Sequence, residues 1–173
     1  MKKILAILFI GALILISCEK EYEPTKTATV EFSGKWWVHH NVEGSDLFGA
    51  GYGELNTYNT AANDGKEIWI NDDYFWSYRI KCPVDLENLT FQSDTFISAY
   101  PDYPIKIVIQ NGKIIKDGGT TLAGRTVDSI YYEVWFEDWP EVIDLYGLPF
   151  PYDTYFEVGG VAHTGFDDDD TTH

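Results

Sequence analysis

The strongest constraint on this chain is the spacing of its turn signals. From Trp36 onward, about nine short runs rich in β-branched and aromatic residues are each closed by Gly, Pro, Asn or Asp. They cover residues 36–42, 52–59, 67–70, 74–82, 89–97, 105–110, 113–116, 129–137 and 155–162. No run carries the 3.6-residue apolar repeat that a long helix needs. Many short, mostly antiparallel strands in one domain leave two architectures, a barrel or a sandwich. A barrel is preferred, since closure removes exposed edges and can enclose one small apolar ligand.

Alternation within the runs assigns their faces. In residues 129–137, Ile130, Tyr132, Val134 and Phe136 share one face, opposite Tyr131, Glu133, Trp135 and Glu137. In residues 74–82, Tyr74, Trp76, Tyr78, Ile80 and Cys82 alternate with Ser77, Arg79 and Lys81. Asn111-Gly112 between Ile105–Gln110 and Lys113–Lys116 reads as a two-residue type I′ hairpin turn, which needs positive φ at both central residues. Asn63-Asp64-Gly65 and Asn71-Asp72-Asp73 are further turn candidates. Pro140, Val142, Ile143, Leu145 and Gly147 fit a short helix with a glycine stop near 139–147. An ordinary long connection, or a lid over a cavity, explains the same segment.

The N-terminus carries the most specific motif. Lys2 and Lys3 precede an apolar stretch from Ile4 to Ile16, too short for a comfortable membrane span and laid out as a secretory signal peptide. Its ending, Leu15-Ile16-Ser17-Cys18, resembles a bacterial lipobox. That resemblance implies acylation of the Cys18 thiol, cleavage just before it, and a membrane anchored through that lipid. Glu19, rather than Asp, after the cysteine resembles release toward the outer membrane, and Glu19, Glu21 and Glu23 resemble a surface-export signal. The expected organisation is a signal peptide over 1–17, an acidic flexible tether over 18–31, a barrel domain over 32–168 and an acidic tail over 169–173. With Cys18 acylated, Cys82 stands alone; it reads as a small buried strand residue.

Charge narrows the partners. The chain has 12 Lys and Arg against 28 Asp and Glu, a net charge of −16, and loss of Lys2 and Lys3 makes the balance more negative still. Nucleic acids and anionic membrane surfaces attract the opposite pattern, so neither is expected as a partner.

Phe32-Ser33-Gly34-Lys35-Trp36-Trp37, Thr57-Tyr58-Asn59-Thr60-Ala61, Ile68-Trp69-Ile70-Asn71-Asp72, Asp128-Ser129-Ile130-Tyr131-Tyr132 and Thr164-Gly165-Phe166-Asp167-Asp168 occur in that order. Together they resemble the small bacterial lipoprotein family known as "lipid-binding putative hydrolase". The resemblance runs from about Phe32 to Asp168 and implies a calycin-like β-barrel and a lipid-like ligand. Gly34-Lys35-Trp36 is also similar to the Gly-x-Trp start of lipocalins.

Hydrolysis finds no motif of its own. The chain lacks a Gly-x-Ser-x-Gly elbow, and Asp128, Ser129 and His163 are weak triad candidates that nothing in the sequence brings together. His39 and His40 face opposite sides of a strand and cannot easily share an ion, so no metal is expected. No cofactor is called for either. Trp36, Trp69, Trp76, Tyr78, Tyr132 and Trp135 are the candidate ligand contacts, each also explicable as core. Arg79, if inward, would hold a fatty-acid carboxylate; on the surface it would pair with local acids. The expected function is binding of a small hydrophobic molecule by an outer-membrane lipoprotein, periplasmic or surface-exposed. The alternatives are an accessory subunit with an outer-membrane protein partner, and a lipid hydrolase.

Overall fold

A computed structural model describes residues 26–169. The signal peptide, Cys18, Glu19, Glu21, Glu23, most of the expected tether and residues 170–173 lie outside the described residues. Eight antiparallel strands form a closed barrel in sequence order: β1 (Gly34–Asn41), β2 (Gly53–Asn59), β3 (Glu67–Asp72), β4 (Tyr78–Asp85), β5 (Thr90–Ile97), β6 (Lys106–Thr120), β7 (Thr126–Phe136) and β8 (Phe156–Ala162). One helix, α1 (Trp139–Tyr146), lies between β7 and β8. Closure is made by β8 returning to β1, with Val38 opposite Gly160 and His40 opposite Val158.

The alternation expected for residues 129–137 sets the inside of β7: Ile130, Tyr132, Val134 and Phe136 are buried. Pro140 in the first turn and Gly147 at φ 62 delimit α1, glycine being the residue that takes the left-handed conformation at a helix end without strain.

Two local expectations are corrected. Asn111-Gly112 does not turn a hairpin; β6 runs straight through it for 15 residues. Asn111 has φ 56, but Gly112 is not in the positive-φ region, so the type I′ requirement is unmet. The pair instead shifts the β6–β7 register between Gln110 and Lys113, a bulge. Gly112 lies beneath Phe91, where an added Cβ would stand 2.4 Å from both the ring and the carbonyl oxygen of that residue.

The second correction concerns residues 74–82. The strand starts only at Tyr78 because Asp72 Oδ1 accepts the N–H groups of Tyr74 and Phe75, each at 2.9 Å, and bends the chain. Tyr78, Ile80 and Cys82 point inward as expected, whereas Tyr74 and Trp76 belong to the turn.

The two ends of the barrel differ. At one end a 3₁₀ turn, Val30–Phe32, plugs the opening: Phe32 is fully buried against Phe91, and its carbonyl accepts the Thr57 hydroxyl, which in turn accepts the Trp36 indole N–H at 2.8 Å. Thr29, just before it, is buried as well. The connections of residues 42–52, 73–77, 98–105 and 137–155 gather at the opposite end, the mouth.

Candidate functional site

The mouth is built from aromatic side chains on three of these connections. In residues 42–52, Asp46 accepts the N–H of Ala50 at 3.0 Å and of Gly51 at 2.8 Å, folding the loop back on itself. The Gly51 N–H, ahead of other contacts, holds this carboxyl below its ordinary range. The loop carries Phe48 over the opening, its ring 5.9 Å from Phe75, 6.2 Å from Trp76 and 6.4 Å from both Trp139 and Phe156. The Asp72 turn supplies Tyr74, Phe75 and Trp76. Trp76 stacks on Phe136 at 4.8 Å and donates its indole N–H to Asp138 at 3.1 Å. From α1, Trp139 is fully buried behind these rings and Val142 reaches the rim.

Together Phe48, Ala50, Tyr74, Phe75, Trp76 and Val142 line a pocket of about 460 Å³. That is the size and apolar lining of a small-ligand site.

Polar groups lie buried among the inward-facing residues. Phe75 stacks on His40 at 4.2 Å, and His40 Nε2 stands 2.6 Å from Asp72 Oδ2, both side chains fully buried. Neither atom has hydrogen-bond geometry, so the contact is a close approach off the N–H direction, and His40 Nδ1 has no hydrogen-bond partner among the described residues. From β4 and β7, the Tyr78 and Tyr132 hydroxyls meet at 2.5 Å. Burial pushes both phenols well above 10.0, with negative Asp72 adding to the effect. Cys82 is likewise buried, and burial raises its thiol to about 12.

Of the ligand contacts expected from sequence, only Trp76 lines this pocket. Trp36, Tyr78 and Tyr132 are buried inside the barrel. Trp69 and Trp135 are on the outer wall, where Trp135 donates to the Tyr152 carbonyl at 2.8 Å. The inward Arg79 is corrected: Tyr78 and Ile80 take the inside, so Arg79 faces out, its guanidinium 5.7 Å from the Trp69 ring and 5.1 Å from the Tyr100 ring. Asp128 holds Lys116 Nζ at 2.8 Å and the Asp117 N–H at 3.0 Å, Ser129 stands opposite Val161, and His163 Nδ1 accepts the Gly165 N–H at 3.0 Å. Phe48, Tyr74 and Phe75 were missed as contacts. Their signal was the density of aromatics inside turn segments, where no strand face requires them.

A closed eight-stranded antiparallel barrel with an apolar pocket at one end defines a small-ligand-binding barrel of the calycin type. The chain belongs to the family described as "lipid-binding putative hydrolase", which matches residues 21–167. Among curated proteins, none matches the chain.

Proposed function

We propose that this protein is a lipid-anchored component of the cell envelope that binds a small hydrophobic, lipid-like molecule at the barrel mouth. The observation that carries the reading is the aromatic pocket beneath Phe48, in a family described as lipid-binding. The upper barrel interior is filled by large buried residues such as Tyr78, Tyr132, Phe136 and Phe156, which supports the mouth rather than the interior as the site. Cys18 in its lipobox-like setting supports the anchor, and Glu19 supports an outer-membrane destination.

The test is mass spectrometry of lipid released from the purified chain, followed by titration with a fluorescent fatty-acyl probe. We expect a bound lipid or probe uptake, and weaker uptake by Ala50→Trp, whose indole would occupy the pocket. No bound lipid and no uptake would sink the binding reading. Cys18→Ser is expected to leave the membrane fraction; its retention there would sink the anchor.

A second reading, an accessory subunit docking on a protein of the outer membrane, is favoured by the outer face of α1, where Leu145 and Tyr146 are 76% and 67% exposed. Binding of the lipid probe unaffected by Ala50→Trp, together with loss of a co-purifying protein in Leu145→Glu, would shift the assignment to it.

A further inference from the structure

The charge of the mouth selects among lipid-like ligands. Its four connections, residues 42–52, 73–77, 98–105 and 137–155, carry two, one, one and five carboxylates, nine in all, and no lysine, arginine or histidine. All 12 lysines and arginines of the chain lie elsewhere. Among the described residues, the basic side chains nearest in the fold already have contacts of their own. Lys106, at the start of β6, has its Nζ 2.6 Å from Glu137, Arg79 lies on the outer wall between Trp69 and Tyr100, the His39 ring packs on Tyr52 at 3.5 Å, and His40 Nε2 lies against Asp72. An anionic head in this pocket would meet the negative potential of nine carboxylates, with no lysine or arginine on the four connections to offset it.

The pocket walls have matching chemistry. Phe48, Phe75 and Trp76 are inclined to one another by 52°, 56° and 48°, so they form an open corner of three rings rather than a stack. The fourth ring, Tyr74, lines the same space, its hydroxyl donated to the Ala50 carbonyl at 2.5 Å. Ring faces attract a cation through their quadrupole. Against ring faces a primary ammonium gives up more hydration than a fully methylated one, which has no N–H donor to leave unpaired.

We infer that the mouth pocket recognises a quaternary ammonium group, carried by an amphiphile whose tail runs along the aromatic surface. This rests on the reading of the same pocket as the lipid site and names the head that the site selects.

The experiment titrates the full chain, by tryptophan fluorescence and below micelle-forming concentrations, with four probes. They are dodecyltrimethylammonium, dodecanoate, dodecyl maltoside and choline. The trimethylammonium amphiphile should bind about tenfold or more tighter than dodecanoate, a difference that narrows as salt is raised. Phe48→Leu, which keeps an apolar wall but removes a ring, should shrink the preference for trimethylammonium over maltoside. Choline binding as tightly as the dodecyl probe would support the head chemistry and assign it to a soluble quaternary amine rather than a lipid. Dodecanoate binding equally or more tightly would overturn the inference while leaving lipid binding intact, and so would an unchanged preference in Phe48→Leu. If none of the probes binds, both the inference and the lipid reading of this pocket fall.

Discussion

The Tyr78–Tyr132 hydroxyl pair gives the sharpest test of how the barrel interior is held. Both residues are fully buried, their oxygens are 2.5 Å apart, and Phe136 and Phe91 pack against the two rings. Tyr78→Phe removes one hydroxyl and leaves the other in apolar surroundings without its partner. That costs about 1–3 kcal/mol, the desolvation penalty of a buried polar group left unpaired. Tyr132→Phe should cost a similar amount for the same reason. The double variant removes both groups, so no hydroxyl is stranded, and its loss should be no greater than that of either single variant. The coupling between the two sites is then about 1–3 kcal/mol, far outside the roughly 0.3–0.5 kcal/mol expected of independent positions. Urea unfolding followed by tryptophan fluorescence, with linear extrapolation, measures all four corners of the cycle. Losses that simply add would refute the reasoning, because each hydroxyl would then have its own partner.

Three further outcomes are expected. Gly160→Ala would place a Cβ 1.9 Å from the Trp37 carbonyl oxygen and force β8 off β1, whereas the Cβ of Gly159→Ala meets the Tyr131 ring at an ordinary 3.8 Å. Gly160→Ala should therefore lose about 3 kcal/mol or more of stability in urea and Gly159→Ala change it by less than about 0.5 kcal/mol, and equal midpoints would refute the close approach. Cys82, its thiol raised to about 12 by burial, should resist iodoacetamide in the native chain at pH 8 and react in urea, with peptide mapping locating the label. The Asp46 pKa lies below its ordinary 3.8, so the stability it lends the Phe48 loop is present above that value and lost as pH falls through the lowered one. Probe affinity should stay flat from about pH 8 to pH 5, while Asp46→Asn should weaken it already at pH 7; an unweakened variant would show that the loop does not need the carboxylate.

The barrel was legible because a half-buried strand advertises its faces. Ile130, Tyr132, Val134 and Phe136 could be assigned inward from a period of two alone, and all four are buried. The same rule failed at Tyr74 and Trp76 because the alternating pattern continues through a stretch whose backbone is bent by Asp72, a side-chain effect the pattern does not encode. Asn111-Gly112 failed for a different reason. The dipeptide permits two positive φ angles, but Phe91, about twenty residues earlier, sits on Gly112 and the strand continues. The pocket was the least legible part. Its lining side chains come from three separate connections, and only closure of the barrel brings Phe48, Phe75 and Val142 to one rim.

The proposed placement of the ligand at the mouth follows from what each location would have to give up. A barrel of eight strands has room for its own side chains or for one small guest. Inside this one, a guest would have to part the Tyr78–Tyr132 bond or displace Phe136 and Phe156, groups that are fully buried and packed on several neighbours. At the mouth the obstacle is much smaller. Phe48 is already 44% exposed, and the loop carrying it is folded by the two N–H bonds to Asp46. A ligand that slides under Phe48 gains ring contacts on Phe75 and Trp76 without disturbing the interior. On the proposed reading, affinity depends on the order of the 42–52 loop, whereas the tyrosine pair contributes to barrel stability, so the two can be altered separately.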